Sequence, residues 1–202
     1  MTSSDADEAL RELHAEIRTC RRCGLCANRR QAVPGEGASN ADIMFVGEAP
    51  GGDEDRQGRP FVGAAGRVLT QQLNAIGLRR KDVFIGNVVK CRPPGNRDPQ
   101  PDEIDACRDY LLTQIAIISP KIICTLGRFA AQTLIDPKLS ISREHGKPRR
   151  LSGILYVPIY HPAAALHQAR LIDTLETDFR ALRRILEEME NRGGMARSST
   201  DV

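Results

Sequence analysis

Hydrophobic positions in this chain follow two alternating rhythms. Short apolar runs bounded by turn residues, DIMFVG (42–47), VFIGNVV (83–89), KIICTLG (121–127) and ILYVPIYHP (154–162), predict four buried strands. Between them the spacing lengthens to that of amphipathic helices. Leu10, Leu13 and Ile17 share one face of a helix over about 4–19, where Ser4 and Asp7 have capping-box spacing. Val68, Leu69, Leu73 and Ile76 mark a second helix, closed by Gly77. Ile104, Cys107, Leu111, Ile115 and Ile118 line a third, which starts near Pro101 with Asp102, Glu103 and Asp105 at its positive end. A short helix runs to about Leu134, and Leu175, Phe179, Leu182, Leu186 and Met189 mark a last one.

Strands alternating with helices require crossover connections, and crossovers place strands parallel with helices on both faces. The expected fold is therefore α/β, a three-layer α/β/α sandwich around a central, mostly parallel four-stranded sheet. It occupies a single domain over 1–190, with the polar stretch 191–202 expected as a disordered tail. Ligands of such folds bind beyond the carboxyl ends of the strands. Those ends carry GEAPGGDED (47–55), Gly86-Asn87, Thr125-Leu126-Gly127 and Tyr160-His161-Pro162.

Composition narrows the picture. At 202 residues the chain suits one domain with a real core, and no apolar run approaches the roughly 20 residues that span a bilayer. The start MTSSDADEAL has neither a basic segment nor an apolar stretch, so a cytoplasmic location without membrane contact is expected. A net charge of +3 permits a nucleic-acid partner without requiring one. The basic residues cluster, with Arg21, Arg22, Arg29 and Arg30 around the first cysteines and Arg143, Lys147, Arg149 and Arg150 further on. Solvated surface is the plain alternative for both groups.

Six cysteines in a reducing compartment are not expected to pair as disulfides. Cys20 and Cys23 form a C-x-x-C pair, Cys26 extends it, and Cys91 and Cys107 lie near the second strand-to-helix connection. Four thiolates hold either tetrahedral zinc or an iron–sulfur cluster, and spacing does not separate the two. The stiff cationic turn Arg92-Pro93-Pro94 after Cys91 leans slightly toward iron and sulfur. A thioredoxin-like role is disfavoured because the pair precedes the first strand, and Cys124, inside an apolar strand, reads as core.

The order C-x-x-C, G-E-A-P-G, G-R-P-F-V-G, G-N-V-V-K-C-R-P-P, a later Cys and H-P-A-A-A-L resembles the family 4 uracil-DNA glycosylases, the iron–sulfur branch of that superfamily, from about Cys20 to Leu166. The resemblance implies a base-excision DNA repair hydrolase that flips uracil out of DNA and cuts its N-glycosidic bond, leaving an abasic site. It implies a [4Fe-4S] cluster on Cys20, Cys23, Cys91 and Cys107, with Cys26 an extra thiol. His161 is implied to stabilise charge developing on uracil O2 and Glu48 to serve the attacking water or the sugar cation. Asn87 is implied to read O4 and N3–H of uracil, and Phe61 to stack on the base. The backbone around Glu48 and Ala49 would hold O2. Where the better-known branch G-Q-D-P-Y has its catalytic aspartate, this chain has Ala49; where that branch uses tyrosine against the thymine methyl, it has Gly51, so Glu54 is expected to fill the space.

The same resemblance places Pro162 and Ala163 against the DNA backbone and Leu166 in the base stack, with His167 standing where relatives often have arginine, and Arg170 as a substitute phosphate contact. Uracil-containing DNA, double- or single-stranded, is the implied partner, with the protein acting as a monomer. A second class stays open: a uracil-DNA binder that captures its substrate covalently. Such a protein has glutamine at the Ala49 position and a basic loop with a nucleophilic histidine, and here GKPRR is followed by Leu151. A nucleotide-binding fold is disfavoured, since neither phosphate-loop pattern is present and the acidic run 53–55 repels phosphate.

Overall fold

The computed structural model describes residues 2–198. Its sheet contains β1 (Glu36–Gly37), β2 (Ile43–Gly47), β3 (Phe84–Asn87), β4 (Ile122–Leu126), β5 (Arg149–Leu151) and β6 (Ile154–Ile159). Their order is β1-β3-β2-β4-β6-β5. The four expected strands are the parallel centre, and β1 and β5 add antiparallel edges. This corrects the expected count of four to six. The two edge strands are short and polar, so no apolar run announces them.

Side chains along the central strands alternate between two cores, as a pleat requires. Met44, Val46, Phe84 and Ile123 face α1 (Ser3–Thr19) and α4 (Pro101–Ile118), where Leu10, Ile17, Leu111 and Ile115 pack. Ile43, Phe45, Ile85, Ile122 and Cys124 face the other way, toward α3 (Ala64–Ala75) and α8 (Arg170–Ser198), and meet Leu69, Leu73, Leu175, Phe179 and Leu182. The expected three layers are thus present, and Cys124 is core. No helix among the described residues is long and apolar enough to cross a membrane.

Helix ends differ in detail from the expectation. The capping box of α1 is Thr2 with Asp5, because the hydroxyl of Thr2 accepts from the Asp5 N–H at 3.2 Å and the Asp5 carboxylate accepts from the Thr2 N–H at 2.9 Å. Asp7 instead accepts from the Ser39 hydroxyl at 2.5 Å. Gly77 closes α3 as expected, at φ +77°, with its N–H on Asn74 O and the Leu78 N–H on Leu73 O. Helix α8 continues to Ser198, past residue 191 where a tail was expected, and residues 199–202 lie outside those described. Four shorter helices escaped the sequence pattern or were only sketched by it: α2 (Gly52–Gln57), α5 (Arg128–Leu134), α6 (Ile141–Glu144) and α7 (Pro162–His167).

The connection out of β2 runs to β3 on one side, and that out of β4 runs to β5 and β6 on the other, so the strand order reverses between β2 and β4. A crevice opens at such a point beyond the carboxyl ends.

Candidate active site

That crevice holds a cavity of about 320 Å³ lined by Glu48, Ala49, Gly51, Glu54, Phe61, Asn87 and His161, together with Pro93, Asn96 and Arg97. Every residue expected around the base is therefore gathered in one place, from four separate chain segments. The pairing of β2 with β3 runs two residues past the sheet, with Val88 N–H donating to Gly47 O at 2.9 Å and Val89 N–H to Glu48 O at 3.1 Å. Backbone hydrogen bonds thus fix where Glu48 starts. Gly47 is required by close approach: a Cβ there would lie 2.5 Å from Asn87 Oδ1 and 2.7 Å from Phe61 Cζ.

Asn87 ends β3 at 1% exposure, and its Oδ1 has no hydrogen-bond partner among the described residues. Leaving a buried acceptor unpaired costs about 1–3 kcal/mol, so this atom is set up for a donor from outside the chain. His161 supplies the complementary group. As N-cap of α7, its Nδ1 accepts the Ala163 N–H at 3.1 Å, which leaves the proton of a neutral ring on Nε2. Burial pulls the ring down to about 4, against the opposing charge of Glu54, so the neutral donor persists through physiological pH. Phe61 packs beside it, with ring centroids 5.6 Å apart.

The carboxylates of GEAPGGDED have divergent fates. Asp53 pairs with Arg56 on the surface. Buried Asp55 accepts the Arg30 N–H at 2.9 Å, tying the segment before β1 to α2. Glu54 accepts from Gly51 N–H at 3.1 Å through one oxygen, and from Val62 N–H at 2.9 Å and Gly63 N–H at 3.0 Å through the other. It staples two loops that line the cavity. A Cβ on Gly51 would fall 2.8 Å from Glu54 Oε2, so Glu54 occupies the volume a side chain at 51 would need. Glu48 alone has no hydrogen bond to its carboxylate among the described residues. Burial and then the neighbouring charge of Asp98 push it up to about 7, with Arg128 opposing.

Phe61 holds a backbone conformation that bulky residues avoid, at φ +51°. A left-handed residue with a Cβ costs roughly 1–2 kcal/mol, and such strain persists only where neighbours impose it. Glu54 holds the following N–H groups, and Arg80 donates to the Phe61 and Pro60 carbonyls at 3.0 and 2.7 Å. Helix α3 fits beneath only because residue 66 is glycine, where a Cβ would lie 1.9 Å from Phe61 O.

Outside the cavity, Pro162 is buried at the first position of α7 and Ala163 lines the cavity wall. Leu166, one turn on, is 47% exposed, and His167 and Arg170 are also exposed, with the Arg170 guanidinium on Gln168 Oε1 at 3.1 Å. The second basic cluster is partly neutralised, since Glu144 pairs with Arg149 at 2.8 Å and Lys147 at 3.8 Å.

Cys20, Cys23, Cys26, Cys91 and Cys107 border one small enclosed space of about 10 Å³. Among the described residues no three His, Cys, Asp or Glu groups stand at metal-ligand spacing. The donor set nevertheless fits an anionic sulfur centre. Arg29 donates to Cys91 Sγ at 2.9 Å, the Lys90 backbone N–H to Cys107 Sγ at 3.3 Å, and the Arg22 N–H to Cys20 Sγ at 3.4 Å. Lys90 itself is 1% exposed with no carboxylate partner among the described residues, its ammonium resting on Asn87 O at 2.8 Å and Gln114 Oε1 at 2.7 Å. A buried cation without an anion calls for negative charge nearby. Burial pushes the Cys91 thiol up to about 11 and raises Cys23 and Cys107, so a metal would have to draw these protons off.

Sequence reasoning missed Asp98 and Arg128, which pair at 3.2 Å and set the field on Glu48, and the wall formed by Pro93, Asn96 and Arg97. The only available signal was the turn-rich RPPGNRDPQ following a cysteine. Arg80 gave none.

Comparisons with known proteins agree with this arrangement. The profile of the family described as the Uracil DNA glycosylase superfamily matches residues 34–189. A type-4 uracil-DNA glycosylase of Archaeoglobus fulgidus is 49% identical over 87% of this chain and 92% of its own length. Those of Sulfurisphaera tokodaii and Saccharolobus solfataricus are 50% and 51% identical, over 88% and 85% of this chain and 85% and 83% of theirs. The crevice, the strand order and these similarities together show that the chain belongs to the uracil-DNA glycosylase superfamily, in its type-4 branch.

Proposed function

We propose that this chain hydrolyses the N-glycosidic bond of deoxyuridine in DNA, releasing free uracil and leaving an abasic site, with the cavity at the ends of β2, β3 and β6 holding the flipped base. The unpartnered Asn87 Oδ1 is the observation that carries this reading. Uracil presents N3–H to such an acceptor and O4 to the amide N–H on the same side chain, whereas cytosine presents a lone pair at N3 and donors at its exocyclic amine. Phe61 stacks on the base. Glu54, filling the volume beside Gly51, meets the C5 edge and leaves no room for the thymine methyl.

As the C1′–N1 bond breaks, electrons move onto the base, and His161 Nε2–H donates to O2 where that charge gathers, joined by the backbone at Glu48 and Ala49. Because the imidazolium form of His161 loses its extra proton already at about 4, the ring meets the base as a neutral, weakly acidic N–H donor, which suits an anion that leaves unprotonated; oxyanion-type donors are worth about 10²–10³ in rate. Glu48, poised at about 7, takes a proton from the water that adds to C1′. Leu166 enters the stack where the nucleotide has left, and Pro162, Ala163, His167 and Arg170 border the phosphate path.

Cys20, Cys23, Cys91 and Cys107 would hold a [4Fe-4S] cluster that serves structure, fixing the segment before β1 to the Pro93 wall of the cavity. The protein acts as a monomer on DNA, in double or single strands, in the cytoplasm. Incubation with a uracil-containing oligonucleotide tests the reading: free uracil and an alkali-labile site are expected, and His161→Ala and Asn87→Ala should each lower the rate by about 10² or more while folding normally. A denaturant-resistant protein–DNA adduct would instead establish covalent capture.

A further inference from the structure

The base-stacking role of Phe61 needs a ring aimed into the cavity from a backbone that resists the required turn. Four contacts impose that turn, and one residue supplies two of them. Arg80 lies on the short helical turn Arg80–Asp82 before β3, some distance in sequence from Phe61, and its side chain is only 20% exposed. One guanidinium nitrogen donates to Phe61 O at 3.0 Å and to Thr70 Oγ1 at 3.4 Å; the other donates to Pro60 O at 2.7 Å and reaches Glu36 Oε1 at 3.4 Å. Glu36 is in turn held by Arg59 Nε at 2.5 Å. The planar fork thus spans two successive carbonyls that a left-handed residue turns to the same side, while edge strand β1 fixes the fork from behind. Lysine has no such geometry.

We infer that Arg80 is a positioning residue for uracil excision, acting through Phe61: it holds the Pro60–Phe61 peptide in its left-handed turn so that the ring meets the flipped base. Arg80 reaches neither the base cavity nor the residues assigned to the chemistry, and it lines a separate open depression on the far side of Phe61. Its whole effect on the reaction must therefore pass through the loop. The inference rests on the proposed stacking role of Phe61, and a double-mutant cycle separates the two.

Single-turnover excision of uracil from an oligonucleotide is measured for the unmodified protein, Arg80→Ala, Phe61→Ala and the double variant, with thermal melts of each. Arg80→Ala should slow excision about 10-fold, the scale of a misplaced binding group, and weaken inhibition by free uracil. In the Phe61→Ala background the same change should cost less than about 2-fold, because coupled residues are not additive. Arg80→Lys keeps the charge beside Glu36 but offers one nitrogen to two carbonyls; it should fold, show an intermediate loss, and carry the cycle if Arg80→Ala melts below the assay temperature. Equal losses in both backgrounds, or none in the parent, would overturn the role of Arg80. An unchanged rate in Phe61→Ala alone would remove the stacking assignment instead.

Discussion

Replacing Glu48 by glutamine should make the enzyme slower and the fold more stable, and the second effect can be worked from the structure. Its carboxyl sits in a half-buried position with Asp98 nearby, and its pKa moves from an ordinary 4.5 to about 7. A raised acid pKa means the folded chain binds a proton that the unfolded chain has already released between those values. Stability therefore falls as pH rises from about 4.5 to 7 and stays reduced above. The full span corresponds to about 3 kcal/mol at 1.36 kcal/mol per pH unit. Partial exposure and screening reduce the amount expected to about 1–2 kcal/mol. Glutamine keeps the shape and removes the charge, so Glu48→Gln should melt roughly 4 °C higher at pH 8, with no gain at pH 4, where both forms are neutral. The same variant should lose the limb of the excision profile that rises with pH through about 7. Thermal melts at the two pH values and single-turnover rates across the range measure both. A variant no more stable than its parent at pH 8 would refute the electrostatic reasoning, and an unchanged rate profile would remove Glu48 from water activation.

Three further outcomes are expected. Gly47→Ala forces a Cβ to within 2.5 Å of Asn87 Oδ1 and 2.7 Å of Phe61 Cζ, so it should slow excision strongly and cost about 1–3 kcal/mol in denaturant titration; full activity would show that the two side chains can move apart freely. Cys91→Ala should lose iron and acid-labile sulfide and melt lower, whereas Cys26→Ala should keep both; a colourless, zinc-containing parent protein would defeat the cluster assignment. His161 has its pKa lowered to about 4, so the unfolded chain takes up a proton first as pH falls below about 6.5, and this contribution to stability is lost between about 6.5 and 4. Proton uptake on unfolding at pH 5, measured by calorimetry in buffers of different ionisation enthalpy, should fall in His161→Asn, and an unchanged uptake would place the ring's pKa elsewhere.

The hydrophobic pattern alone determined the layers of this protein. Continuous apolar runs at 42–47, 83–89, 121–127 and 154–162, too short for core helices, read as strands buried on both faces, and the helical spacing between them required parallel crossovers. Motif order carried Glu48, Asn87 and His161 toward one site, because residues at the carboxyl ends of strands in one parallel sheet share an edge, and Phe61 joins them from the loop between α2 and α3. The edges stayed hidden, since β1 and β5 bury little and are set by pairing with strands distant in sequence.

Charge state and restraint belonged to the tertiary structure. A glutamate in GEAPG has an ordinary pKa until burial, and then the charge of Asp98, raises it, and the histidine of HPAAAL has no fixed tautomer until Ala163 N–H meets its Nδ1. The acidic stretch GGDED reads as one feature in sequence, yet its carboxylates end on a surface arginine, on the Gly51 and Phe61 loops and on the Arg30 backbone. Arg80 has no motif at all, and it acquires a role only because folding brings its fork against two carbonyls that no local rule would turn together. Local pattern reports which surfaces must be buried; partners that share no stretch of chain become known only when those surfaces close.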